Sequence, residues 1–146
     1  MLRFLPIICV FLAGIGVALQ TPTNAALARS LGSVLLAALV SFAGGTIILV
    51  AAWLLFDRTP LTALRAAPAW TWSGGLYGAF FVACFAFSAP RLGLATALTI
   101  AIASQLGMAL VLDHFGLLGL RPAPISPLKL LGIVLVLGGV VLVRRG

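Results

Sequence analysis

The sequence predicts an all-α membrane protein with five transmembrane helices in a single domain, and three observations support this fold class. Of the 146 residues, 63% are hydrophobic and 8% are charged, whereas about a quarter of the residues in soluble domains are charged. A chain of this size has too much surface to hide so much apolar material inside, so its solvent must be lipid. Five apolar stretches approach the length of a membrane-spanning helix: about 4–27, 33–56, 70–89, 92–115 and 128–143.

The first predicted helix carries polar residues where lipid favours apolar ones. Gly16, Gln20 and Asn24 are spaced by four and therefore lie on nearly the same helical face. Amides at this depth either hold neighbouring helices together or contact a solute, and the sequence leaves both roles open. We include Gln20 and Asn24 among the candidate substrate-binding residues.

Pro22 lies in the same polar stretch, and we expect it to bend the first helix. Proline has no N–H, so the carbonyl of Ala18 loses its helical partner and needs a hydrogen bond from elsewhere. The hydroxyls of Thr21 and Thr23 are nearby donors, and both threonines join the candidate substrate-binding residues. Arg3 and the apolar run after it also resemble a cleaved signal peptide. The polar residues continue in helical register with that run, which favours an uncleaved first helix.

The third and fifth predicted helices contain glycines placed for close packing. Helices associate in lipid where small side chains allow their backbones to approach. We therefore predict helix-packing roles for Gly74 and Gly78 in the third helix and for Gly132 and Gly139 in the fifth. The fifth helix is the candidate contact surface for a second chain.

The fourth predicted helix has Gln105 close to its midpoint and Asp113 with His114 at its end. Gln105 and Gln20 should lie at similar membrane depths, and polar groups inside a membrane are functional candidates. Gln105 is therefore the third candidate for contact with a substrate. Asp113 and His114 form either a gate or proton relay at the mouth of a path, or an ordinary helix end. In the second case Asp113 pairs with Arg121 or satisfies loop backbone.

Basic residues are almost equally divided between the two predicted sides of the membrane. The side of the N-terminus has five and the other side has four: Arg3, Arg58, Arg65, Arg121 and Lys129 against Arg29, Arg91, Arg144 and Arg145. A surplus of Lys and Arg normally marks the cytoplasmic side. The balance favours insertion in both orientations over a weak preference for a cytoplasmic N-terminus. Two opposed five-helix copies would have a two-fold axis in the membrane plane, so we expect an antiparallel homodimer.

Several function classes find no support in the sequence. It has no nucleophile–base pair, phosphate-binding loop or pair of neighbouring carboxylates, so we expect no enzymatic activity. One histidine and two cysteines, Cys9 and Cys84, give no metal-binding spacing, and we expect no metal and no cofactor. We interpret both cysteines as small core residues. The basic residues are scattered between apolar runs, which indicates lipid head groups and not nucleic acid as their partner.

The chain resembles the YdcZ-like family of small five-helix membrane proteins over nearly its whole length. The resemblance is carried by LQTPTNAALARSLGS, WSGGLYGA, RLGLATALTIAIASQL and LDHFGL, among other segments. It implies a multi-pass protein of the bacterial inner membrane in the drug/metabolite transporter superfamily, with dual-topology chains or paired sister chains of opposite orientation. Relatives of the small multidrug resistance type use a buried glutamate in the first helix for proton coupling. This chain has no glutamate, which argues against that kind of antiport.

These features together predict a transporter that exports a small polar or amphipathic metabolite by alternating access in an antiparallel dimer. Gln20, Asn24 and Gln105 would orient the solute. Two alternatives stay open: a passive channel for a small ion or neutral solute, and a membrane subunit that transports nothing itself.

Overall fold

The computed structural model describes residues 4–145, and helices dominate this part of the chain. No strand occurs among these residues, and five α-helices follow one another: α1 (Leu5–Leu31), α2 (Val34–Ala52), α3 (Gly74–Leu92), α4 (Leu94–Phe115) and α5 (Pro127–Arg145). With the turns that extend α2 and α3, all five are long and apolar enough to cross a membrane. The predicted all-α class with five membrane-spanning helices is confirmed.

The chain divides into two compact units, Met1–Arg91 and Leu92–Gly146. In the first unit, α1 packs against α2, and in the second unit α4 packs against α5. In the first unit, α3 approaches α2 where Gly78 lies beside the ring of Phe42.

The helix α1 continues through Pro22 and ends at Leu31, beyond its predicted end near residue 27. A proline removes only one N–H from the hydrogen-bond ladder, and lipid offers the other backbone groups no partner outside the helix. The helix stops at Gly32, whose φ of 67° is left-handed. Ser33 then caps α2 by accepting a 3.1 Å hydrogen bond from the Leu36 N–H. Two residues therefore connect α1 to α2.

The far end of α2 unwinds through a π-helical turn, Trp53–Asp57, into a surface segment. The indole N–H of Trp53 donates to the Thr59 carbonyl at 3.1 Å and holds the start of this segment. Two 3₁₀ helices follow, Leu61–Ala66 and Ala69–Ser73. Neither contains a buried residue. The tryptophans of the second lie exposed, as expected for aromatic side chains at a membrane interface.

Small side chains make up most of the buried interior. Of the nine buried apolar side chains recorded for the described residues, seven are alanines. In lipid, association of helices depends on close backbone approach, which alanine permits. Large apolar side chains such as Leu35 and Phe80, 75% and 70% exposed, lie on the outside. Lipid contact therefore takes the place of a large apolar core.

The interpretation of Cys9 and Cys84 as core residues is wrong. Both are free and exposed. A thiol is apolar enough to face lipid, so its position in an apolar run does not show which helical face it occupies. Any assignment of burial from hydropathy alone can fail in this way in a membrane protein, because an apolar side chain can face either lipid or protein.

The connection from α4 to α5 is held by a glycine and by hydrogen bonds to the end of α4. Gly116 ends α4 with a left-handed φ of 61°. The carbonyl of Asp113 accepts from the Ala123 N–H at 2.7 Å. A β-carbon added at Gly116 would lie 2.7 Å from Cγ of Pro122. Glycine is therefore needed at position 116, because the backbone there is left-handed and because Pro122 leaves no room for a β-carbon.

We expect Gly116→Ala to destabilise the protein by about 1–3 kcal/mol, because alanine disfavours the left-handed conformation and would displace Pro122. The measurement is the midpoint of thermal unfolding in detergent. Gly107→Ala is the matched control, because Gly107 lies in α4 with nothing within 4 Å of an added β-carbon. Equal unfolding midpoints for the two variants would contradict the assignment.

Candidate functional site

The buried face of α1 is polar where it crosses the middle of the helix. Thr21 and Asn24 are 4% and 5% exposed, and among the described residues they are the buried polar side chains. Ala25 and Ala28 continue the same face at helical spacing. Asn24 therefore points inward in the single chain, surrounded on its own helix by small side chains.

Gln20 lies outside this buried stretch. It shares a helical side with Asn24 but lies one turn nearer the N-terminus, in the part of α1 before Thr21 that has no buried residue, and it is exposed. Thr23 is exposed as well. The candidate residues of α1 are thus divided between an inward pair, Thr21 and Asn24, and an outward pair, Gln20 and Thr23.

The two threonine hydroxyls bond to their own helix. Thr21 Oγ1 donates to the Val17 carbonyl at 3.0 Å, and Thr23 Oγ1 donates to the Leu19 carbonyl at 2.9 Å. The expectation that they would satisfy the Ala18 carbonyl is wrong, because a threonine hydroxyl most easily reaches the carbonyl four residues before it. Each hydroxyl oxygen still has lone pairs with which to accept a hydrogen bond.

Polar side chains of α4 follow a similar pattern. Thr99 Oγ1 donates to the Ala95 carbonyl at 2.6 Å, and Ser104 Oγ donates to the Ala101 carbonyl at 2.9 Å. Gln105 is exposed near the middle of the helix. An amide has two donors and an acceptor to satisfy, and none of the hydrogen bonds among the described residues involves the Gln105 side chain. The hydroxyls of Thr99 and Ser104 are thus satisfied locally, and the Gln105 amide is left for another partner.

The end of α4 is tied to the following connection by His114. Its Nδ1 accepts a 3.3 Å hydrogen bond from the Ile125 N–H, and its ring lies edge-on to Phe115 with centroids 4.8 Å apart. Asp113 contributes its backbone carbonyl to the same connection. The described residues show no ion pair between Asp113 and Arg121. The His114 ring and the Asp113 carbonyl therefore both bond to the connection, and a role of the two residues as a gate or proton relay stays a prediction.

One of the four glycines with predicted packing roles lies against another helix of the same unit. A β-carbon at Gly78 would meet the Phe42 ring at 3.4 Å. At Gly74, Gly132 and Gly139 an added β-carbon meets nothing within 4 Å. Packing at these three positions stays a prediction.

Comparison with known proteins identifies the family. Residues 5–142 match the family described as "Putative inner membrane exporter, YdcZ". The chain belongs to this family. This match confirms the resemblance found in the sequence. It also supports the prediction of a membrane transporter that is a multi-pass protein of the inner membrane. No curated protein and no solved structure matches the chain.

The first unit has a second feature that is relevant to a member of this exporter family. The sequence interpretation did not identify this feature as a site. A groove of about 440 Å³ opens where the ends of α1 and α3 meet the start of α2. Its walls include Ala25, Ala28, Arg29, Ser33, Ala86 and Arg91. The sequence did hold a signal for it: the orientation count placed Arg29 and Arg91 on the same side of the membrane.

We expect His114→Phe to loosen the α4–α5 connection by about 0.5–1.5 kcal/mol, because phenylalanine keeps the ring but cannot accept the Ile125 N–H. Hydrogen–deuterium exchange of residues 120–126 is the measurement. His114→Asn is the control, because its side-chain oxygen can accept near the position of Nδ1. Exchange in His114→Phe as slow as in the wild type would show that the hydrogen bond does not hold the connection.

Proposed function

We propose that the chain is one half of an exporter in which two oppositely inserted copies enclose a path for a small polar or amphipathic solute. The observation that carries this proposal is the exposure of Gln20 and Gln105 in the middle of membrane-spanning helices. Gln20 is two residues past the centre of Leu5–Leu31, and Gln105 is at the centre of Leu94–Phe115. Both amides therefore lie far from the lipid head groups.

An amide that faces hydrocarbon without a hydrogen-bond partner costs roughly 2–7 kcal/mol. Two such groups in a chain of this size would offset much of a typical folding free energy, which is about 5–15 kcal/mol. This cost disappears when the amides face water, a solute or another chain. Their exposure in the single chain therefore favours a polar path that is completed by a partner.

A second copy in the opposite orientation is the partner that the charges favour. Five helices place the two ends of the chain on opposite sides of the membrane, and Lys and Arg are nearly balanced between those sides. In addition, α5 has no buried residue, so its surface is open to lipid or to a second chain. Opposed copies would supply the two-fold axis in the membrane plane that many transporters obtain from inverted repeats within one chain. A sister chain of opposite orientation would satisfy the same requirement.

The polar residues would have different roles in solute recognition. In this proposal Gln20 and Gln105 orient the solute from both copies, and Asn24 extends the polar surface into the interior of each chain. Thr21 and Thr23 already donate to their own helix, so they would contact only donor groups of the solute. Asp113 and His114 would gate the mouth through movement of the α4–α5 connection that His114 holds.

Gln20→Leu or Gln105→Leu should abolish export, because leucine removes the amide while it fills a similar volume. The measurement is the set of solutes that accumulate in the medium of cells producing each variant, determined by mass spectrometry against cells without the protein. We expect a solute that the wild type releases to fall to background in both variants, at equal protein in the membrane fraction.

Ser104→Ala is the matched control for this experiment. Ser104 lies beside Gln105 on α4, but its hydroxyl is already bonded to Ala101, so its removal should leave export intact. Wild-type release by both leucine variants would overturn the assigned roles. Once a solute is known, an ohmic current in liposomes would identify a channel in place of a carrier.

Insertion in both orientations predicts activity from both of two C-terminal reporters, one active in the cytoplasm and the other in the periplasm. The substitutions Thr62→Lys and Ala66→Lys add two charges to an exposed segment on the side of the N-terminus. They should leave only the periplasmic reporter active, because the surplus then holds that side in the cytoplasm. A wild-type chain that activates one reporter alone would exclude dual insertion.

A further inference from the structure

We propose that the groove at the ends of α1 and α3 binds one oxyanion, a phosphate or carboxylate group, between the guanidinium groups of Arg29 and Arg91. Both arginines line the same cavity of about 440 Å³. The inference does not depend on transport, because it concerns binding at one end of the first unit, away from the amides at mid-membrane. It would hold equally for an exporter, a channel or a subunit that transports nothing.

The two positive charges have no acidic counterpart within their unit. Asp57 is the acidic residue of the sequence up to Arg91, and it lies at the opposite end of the span Val34–Asp57. At 1.5 Å per residue this span separates it from the groove by roughly 30 Å. Its carboxylate also accepts a hydrogen bond from the Thr59 hydroxyl. The counterion for the groove must therefore come from outside this unit.

Arg91 is held in place while most of its donors stay free. One terminal nitrogen donates to the Phe87 carbonyl, and the guanidinium carbon lies 3.6 Å from the centre of the Phe87 ring. A guanidinium has five N–H donors in a rigid plane. Stacking on the ring fixes this plane, and the remaining donors are available to an anion in the groove.

Arginine near the end of a helix also stabilises the negative end of the helix dipole, which is the simpler explanation for both residues. It accounts for Arg91, which bonds a carbonyl in the last turns of α3. It accounts less well for Arg29, because no side-chain hydrogen bond of Arg29 occurs among the described residues. Arg29 is also in the wall of the cavity that contains Arg91. An oxyanion would satisfy both guanidinium groups together.

The start of α2 contributes positive potential to the groove, opposite in sign to the C-terminal ends of α1 and α3 that also border it. Ser33 and Val34 are part of its wall, and Ser33 uses its hydroxyl to cap the Leu36 N–H. The N–H groups of Val34 and Leu35, the first two of the helix, have no acceptor within an α-helix. These N–H groups point out of the N-terminal end of α2, where the helix dipole attracts negative charge.

The remaining wall is apolar and small, with Ala25, Ala28 and Ala86. A charged rim beside an apolar wall suits an amphipathic anion. Two sources share this chemistry: the phosphate of an anionic lipid and a soluble organic or inorganic anion. The lipid would enter from the bilayer, and the soluble anion would enter from the aqueous side.

The test uses the full chain purified in dodecyl maltoside and three arginine variants. Native mass spectrometry measures retention of phosphatidylglycerol relative to phosphatidylcholine. In parallel, the shift of the unfolding midpoint measures binding of inorganic phosphate to lipid-free protein. Arg29→Gln and Arg91→Gln should each reduce binding by about tenfold, since a hydrogen bond to a charged group is lost. Arg65→Gln, outside the groove, is the matched control and should bind as the wild type does.

The two arms distinguish the sources of the anion. Selective phosphatidylglycerol retention that only the groove variants lose identifies a lipid head group. Phosphate stabilisation that only the groove variants lose identifies a soluble anion. If a glutamine variant does not fold, Arg29→Lys replaces it, and it should bind weakly because lysine lacks the planar donor fork. Binding of both probes that is equal in the wild type and all groove variants would overturn the proposal.

Discussion

This structure depends on one constraint: its backbone hydrogen bonds must be satisfied in a solvent that offers no hydrogen-bond partner. In hydrocarbon each unpaired N–H or C=O costs several kcal/mol, so a spanning segment must be helical throughout. This explains why α1 continues across Pro22 without a break and why the chain leaves helical geometry chiefly between its spans. It also removes the hydrophobic force that drives helices together in water, so packing depends on alanine and glycine surfaces.

The same constraint separates two kinds of polar side chain within the spans. A hydroxyl group can donate to the carbonyl three or four residues earlier, as Thr21, Thr99 and Ser104 do. Amides have too many donors and acceptors to be satisfied in this way. In the proposed exporter, Gln20 and Gln105 are the side chains whose amides a solute, water or a second copy would satisfy.

Sequence reasoning identified the elements of this fold well and their faces less well. The five spans follow from hydropathy and length, because these signals are local. The exposure of Cys9 and Cys84 could not be obtained in this way, since an apolar residue is equally stable against lipid and against protein. Hydropathy locates a residue along a membrane-spanning helix, but it does not locate the residue around that helix.

For the candidate residues too, the sequence predicted which helix carries each residue but not whether the residue is buried. Their presence on α1 and α4 followed from residue type, but the burial of Asn24 and the exposure of Gln20 on the same helical side depend on where along α1 the other helices pack. The bond from Ile125 to His114 joins residues 11 positions apart and has no periodic signal. The groove beside Arg29 and Arg91 required knowledge that three helix ends converge. Contacts between distant segments are what the sequence pattern could not supply.

The connection between α1 and α2 has a consequence for how the chain enters the membrane. With Gly32 and Ser33 alone between the helices, neither helix can wait in the insertion machinery while the other is released into lipid. The pair must enter as one hairpin, with Arg29 as the charge that crosses or stays behind at its tip. Any charge added beside this hairpin then acts on the orientation of both helices together, and the charges that follow it in the chain still contribute.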